Sequence, residues 1–430
     1  MEYHTFLFPL TVLITALLCR LPFTSFPLDD DFSIYTYRAH FAKFGFKWKK
    51  DIQLIGNPFW KIPILDFVYG NSKDGVRRLR RLQTIFHMLS TVTVYYVTWS
   101  FTQSSAAALL AGLLYAFYGT SPDLVAGSFN FEQFYIPFIF AALGFIKSGP
   151  ESIFFAGICF GLASIAKVTT LIYVPAMVLP VAIVYGTTVT LIMTLGVAIP
   201  TLVSLLIDWK LGYMDSISRK QNSTRLATTL RLVKTKKMYF SIMQEVWLIT
   251  KQTLPVWVFG LPALILTIIS NNHPFLLTFI AVTAAMMIAQ RTFSRYHYLP
   301  LIALLSVTSG LGLDWALSRD LIAWILGSLF IFSLAWNLES LAPYYLLPLR
   351  HNTLARYEKF DQYLYLPHLG KQLKRLARLK SQSDQRIYVW GTFSQIYQLA
   401  ELPASDNYLH YSIGPWDNPA LEGFFNSMVG

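Results

Sequence analysis

The sequence predicts an all-α polytopic membrane bundle of about eleven transmembrane helices, with an amphipathic helix in its first long loop and a small C-terminal α/β appendage. Three observations lead there. Hydrophobic residues make up 54% of the chain and charged residues 13%, against about 25% charged in a soluble domain. The missing charge is local, since Val168 to Ile207 carries none, and about 20 apolar helical residues suffice to cross a hydrocarbon core of roughly 30 Å. The polar residues gather instead into three long stretches, 22–83, 208–253 and 344–430.

Apolar windows of span length fall at Thr5–Leu21, Thr84–Phe101, Ser105–Ser121, Gln133–Ile146, Ile153–Lys167, Val168–Tyr185, Thr187–Ile207, Leu254–Ser270, Phe275–Gln290, Tyr296–Leu313 and Leu321–Asn337. The first is read as a retained span. No basic segment precedes it, and Cys19-Arg20-Leu21 lacks the small residues of a signal-peptide cleavage site. Pro175, Pro180 and Pro200 mark expected kinks. Residues 1–343 are assigned to the transmembrane domain and 344–430 to the C-terminal region. There, Lys371–Lys380 reads as a basic amphipathic helix, Arg386–Gly391 as a strand and Phe393–Ala400 as a short helix.

The net charge of +12 comes from 35 Lys plus Arg against 23 Asp plus Glu. Basic residues that flank spans face anionic head groups, so the charge points to the bilayer as partner and not to nucleic acid. Cys19 and Cys159 both lie in apolar windows without CxxC or Cys/His spacing, which excludes a disulfide scaffold and structural zinc. An odd number of spans puts the three polar stretches, Asp123–Glu132 and Arg291–Arg295 on one side. The first stretch holds eleven Lys or Arg and the second nine, while the opposite loops hold Lys147 and Arg319. Taken alone, the positive-inside rule sets the long loops in the cytoplasm.

Charges at the edges of spans are the candidates for chemistry. Asp29, Asp30 and Asp31 open the first long loop, followed by an aromatic-rich amphipathic run from Phe32 to Phe46. Three adjacent carboxylates are costly unless a cation or hydrogen bonds hold them, which suits a general base or a divalent cation site, or else an N-cap. Lys167 is the one charge between Gly157 and Leu179, and an ionisable residue at such depth marks function unless its stem snorkels outward. Arg77, Arg78, Arg80 and Arg81 precede the second span as phosphate ligands or head-group anchors. Glu132 sits at the mouth of the fourth span, and Arg295 with Tyr296 enters the tenth, as an interfacial belt or a phosphate or sugar grip.

Taken in chain order, these pieces resemble the C superfamily of multispan glycosyltransferases, in the bacterial branch akin to protein O-mannosyltransferases and the aminoarabinose transferase. Asp30-Asp31 resembles that family's acidic pair, and Tyr69-Gly70 with Gly75-Val76-Arg77 its approach to the second span. Ala156-Gly157 through Gly161 to Lys167 resembles its Gly-rich span ending in Lys, and Ile387 to Gly391, Ile396-Tyr397 and Pro403-Ala404-Ser405 its extracytoplasmic tail. A third Asp ahead of the pair departs from the pattern.

The resemblance implies transfer of a sugar from a polyprenyl-phosphate donor to a lipid, glycan or protein acceptor. It implies a multi-pass protein of the cell (inner or plasma) membrane with an extracytoplasmic active site, and an inverting single displacement. Asp30, with Asp29 or Asp31, is then the base or orients the acceptor, and Glu132 is a second acidic partner. Lys167, with Arg77, Arg80, Arg81, Arg295 and Tyr296, would hold the donor phosphate. Whether a divalent cation (Mg or Mn) takes part stays open. The rival readings are a transporter or flippase of lipid-linked glycans and a non-enzymatic envelope scaffold.

Overall fold

The structure is a computed structural model that describes residues 4–24, 75–121, 131–210, 236–270, 273–290, 295–346 and 361–379, together with 36, 67–70, 396 and 400–402. Among these residues it is all-helical. The helices are α1 (His4–Arg20), α2 (Gly75–Thr102), α3 (Ser105–Tyr118), α4 (Glu132–Ser148), α5 (Ile153–Ala166), α6 (Tyr173–Tyr185), α7 (Thr187–Lys210), α8 (Lys236–Gln252), α9 (Leu254–Ser270), α10 (Pro274–Gln290), α11 (Leu299–Leu317), α12 (Asp320–Leu346) and α13 (Asp361–Leu379). Short 3₁₀ turns at Val168–Ile172 and Arg295–Tyr298 lead into α6 and α11.

Each apolar window is helical. Phe6–Phe23, Thr187–Ile207, Tyr296–Leu317 and Asp320–Leu338 are long and apolar enough to cross a membrane. Shorter apolar helices run through Ser105–Tyr118, Pro150–Ala166, Thr169–Tyr185 and Pro274–Met287. The chain is a helical membrane protein. Its outer helices make the point physically: Leu321, Trp324, Ile331 and Phe332 of α12, and Leu191, Leu195 and Leu206 of α7, are exposed. An apolar face of that extent needs lipid to cover it.

At the centre stands α11, 72% buried over its apolar window against 11% for α12. It packs on α2, α3, α4, α9, α10 and α12. Lipid tails are as apolar as leucine, so helix association rests on close contact, and small residues permit it. Ser309 donates its hydroxyl to the Val256 carbonyl of α9 at 2.8 Å. A Cβ on Gly312 would come within 2.4 Å of the Phe259 carbonyl oxygen. The tightest crossing is α5 on α7. There Gly157 and Gly196 face each other, and a Cβ on Gly157 would come within 2.1 Å of the Met193 carbonyl oxygen.

Two sets of contacts mark the ends of the bundle. At one, Lys147 lies 5.4 Å over the Phe101 ring and His273 meets the same ring edge-on. Burial, and then the Lys147 charge, hold the His273 imidazole below its ordinary pKa. The other end carries Arg20, Arg80, Glu132, Lys167 and His297, all buried or half-buried.

The structure adds detail to three sequence expectations. The arginine cluster ahead of the second apolar window occupies the first turns of α2, a helix continuous to Thr102. Lys167, expected at the end of the fifth window, stands where α5 stops at Ala166 and the chain turns. The polar stretch 208–253 contains α8, which meets α9 at Thr253 with a bend of 104°. The basic helix expected at 371–380 is present within α13, while the strand at 386–391 lies outside the described residues.

Candidate functional site

Glu132 begins α4, where the helix dipole favours a negative charge. Its side chain is only 2% exposed and forms an ion pair with Lys167. Lys167 reaches it because the chain leaves helical geometry there: φ is −153° and ψ 116°. The break does not orphan the backbone. Lys167 N–H still donates to the Ala163 carbonyl at 2.9 Å, and the Lys167 carbonyl accepts from the Thr170 N–H and hydroxyl. The ammonium is therefore delivered by a capped turn and not by a frayed end.

His297, in the turn before α11, puts Nε2 3.5 Å from the same Glu132 oxygen. Tyr296 packs edge-on against that imidazole at 4.5 Å. One carboxylate thus joins three helix starts and ends, those of α4, α5 and α11.

A second polar network adjoins the first through the neighbouring residue Gln133. Its Oε1 accepts from Gln83 Nε2 at 3.0 Å and from Arg20 Nη2 at 3.5 Å. Gln83 Oε1 in turn accepts from Arg80 Nη1 at 2.9 Å. Arg20 and Arg80 are each 1% exposed, so two guanidinium groups are held inside the protein by amides from α2 and α4. Helical spacing explains the selection on α2. Arg80, Gln83, Thr84 and His87 fall on its inner face, whereas Arg77, Arg78 and Arg81 fall on its exposed one. An apolar cluster of Tyr69, Leu79, Phe131 and Phe134, with Ala166 against it, ties both networks together from below.

The residues expected from sequence divide accordingly. Glu132 and Lys167 meet directly, Tyr296 lies beside them through His297, and Arg80 belongs to the adjoining network. Arg77 and Arg81 lie on the exposed face of α2. Asp29, Asp30, Asp31 and the Arg295 side chain lie outside the described residues. Sequence reasoning missed His297, Gln133, Gln83 and Arg20. Each is a polar residue at the edge of an apolar window, a signal visible in the sequence but too common to select without knowing which helices touch.

A scan against models of known protein families finds no match, and no curated protein matches the chain. The chemistry must be argued from the residues. Among those described, no three His, Cys, Asp or Glu side chains converge as a metal would need, and Glu132 is committed to Lys167. The carboxylates that the sequence offers to a divalent cation, Asp29, Asp30 and Asp31, lie outside the described residues. What the described residues offer is a fixed ammonium with its counter-ion, next to two buried guanidinium groups, at one end of the bundle. That arrangement suits an anionic group in which charge develops.

The pairing has a stability signature. Removing one partner of a buried ion pair leaves an uncompensated charge, at a cost of about 3–5 kcal/mol. Lys167 is one-fifth exposed, which puts Glu132→Gln at the lower end, about 3 kcal/mol. Thermal unfolding in detergent should show Glu132→Gln clearly less stable than the double variant Glu132→Gln/Lys167→Met. Strictly additive losses would mean that the two side chains do not depend on each other.

Proposed function

We propose that this protein transfers a sugar from a polyprenyl-phosphate donor to a lipid, glycan or protein acceptor on the extracytoplasmic side of a cell membrane. The observation that carries the reading is the ion pair between Glu132 and Lys167. These two residues come from motifs 35 positions apart, and the family resemblance singled out both. In this reading all eleven apolar helices span the bilayer, and residues 344–430 form a small α/β region on the same side as 22–83 and 208–253.

The roles follow from charge. A leaving polyprenyl phosphate gains negative charge as the glycosidic bond breaks, and fixed cations placed there lower the barrier. Lys167 and Arg80 are the cations for that work, with Arg295 and Tyr296 entering from the start of α11. Glu132 holds the Lys167 ammonium in position and offsets its charge. The acceptor hydroxyl or amine needs a base, and Asp30, with Asp29 or Asp31, supplies it. The second reading is a transporter or flippase of lipid-linked glycans. It is favoured by the 104° bend at Thr253, since broken helices mark transporter sites. The sugar-transfer reading accounts for the acidic loop as well, and the transporter does not.

Two outcomes test this. In cells, a phosphatase fused after Gly430 is expected to be active and a cytoplasmic reporter at the same place dark. The reverse pattern would put the basic loops inside, as the charge count alone reads, and sink the extracytoplasmic assignment. In a transfer assay, Asp30→Asn and Lys167→Met should each cut the rate by at least about a hundredfold while the protein still inserts. Full activity in Lys167→Met, or in a variant with all three aspartates changed to Asn, contradicts the assignments.

A further inference from the structure

The described part of α13 from Leu369 to Arg378 takes no part in the site, and its two faces differ in kind. At about 100° per residue, Leu369, Leu373 and Leu376 fall within an arc of about 60°. Lys371, Arg375 and Arg378 fall within a similar arc on the opposite side. No acidic residue lies between 369 and 378. The flank between these arcs is covered by the chain itself: Lys374 Nζ pairs with Glu401 Oε2 at 2.6 Å, and Gly370 and Ala400 are buried. The leucine stripe is left outward, with Leu369 40% and Leu376 55% exposed.

We propose that α13 lies in the plane of the membrane and binds an anionic lipid surface, with the leucine stripe in the acyl boundary and the cations toward the head groups. Three observations favour lipid over another protein. Residues 369–378 of the helix carry four cations and no acidic residue, which complements an anionic leaflet. It also follows α12, a helix whose exposed apolar side chains commit it to the bilayer. The fourteen residues 347–360 that join them reach at most about 50 Å when fully extended, so α13 starts near the surface where α12 emerges. Finally, the leucines stand in single file on the face opposite the cations, with Leu369 and Leu376 exposed, the segregation of an interfacial helix. The long stems of Lys371, Arg375 and Arg378 allow their charges to reach phosphates from the polar face.

The proposal does not depend on sugar transfer and can be tested without activity. The full chain, with Cys19→Ala, Cys159→Ala and Leu376→Cys, is labelled with an environment-sensitive dye and placed in nanodiscs of phosphatidylglycerol or of phosphatidylcholine. The dye should be at least about threefold less accessible to an aqueous quencher in the anionic discs, and raised salt should erase the difference. The triple substitution Lys371→Gln/Arg375→Gln/Arg378→Gln, which spares Lys374 and its pairing with Glu401, should erase it too. Hydrogen exchange of residues 369–378 in the unsubstituted protein should follow the same lipid dependence. Equal quenching and exchange in both lipids would overturn the proposal.

Discussion

A charge inside a bundle surrounded by hydrocarbon must bring its partner with it, and the Glu132–Lys167 pair is where this protein meets that demand. Desolvating either ion alone is costly, so the start of α4 and the turn after α5 are constrained to meet. Much of the polar end follows. The break of α5 at Lys167 aims the ammonium, Thr170 caps the Lys167 carbonyl so that the break persists, and His297 brings the entry of α11 to the same carboxylate. The adjoining Arg20 and Arg80 obey the same rule, with the side-chain amides of Gln133 and Gln83 among their partners.

The apolar body is built on a different constraint. With lipid as solvent, apolar side chains gain little by moving from tails to neighbours, so α11 is held by contact and by polar side chains bonded to backbone. Ser309 serves both α9 and its own helix. Gly157 and Gly196 let α5 and α7 approach at backbone distance, which fixes how the helix that carries Lys167 at its end lies on its neighbour. Packing deep in the bundle and chemistry at its rim are therefore linked through a single helix.

Much of the fold was legible in sequence because its signal is one-dimensional. An apolar window such as Thr187–Ile207 announces a helix whatever surrounds it. The exceptions have physical causes. The first turns of α2 look like a loop because four arginines lower their hydropathy, yet the arginines continue the helix with good intrinsic propensity. The α8 segment looks like a polar loop because its apolar residues cover one side only. Of the site, Glu132 and Lys167 were visible as charges where charge is expensive. His297 and Gln133 were not, since their meaning depends on which helix ends converge, and that is set by packing. Asp30 rests on resemblance alone.

The central claim is that this end of the bundle handles a lipid-linked sugar chemically and does not merely move it. The most direct measurement is mass-spectrometric analysis of envelope glycans and polyprenyl-linked sugars in a strain lacking this gene. The account predicts that one glycan, lipid or protein loses a single sugar while the corresponding polyprenyl-phosphate sugar accumulates. Fully assembled lipid-linked glycan building up instead, with no product short of one sugar, would contradict it and identify a transporter.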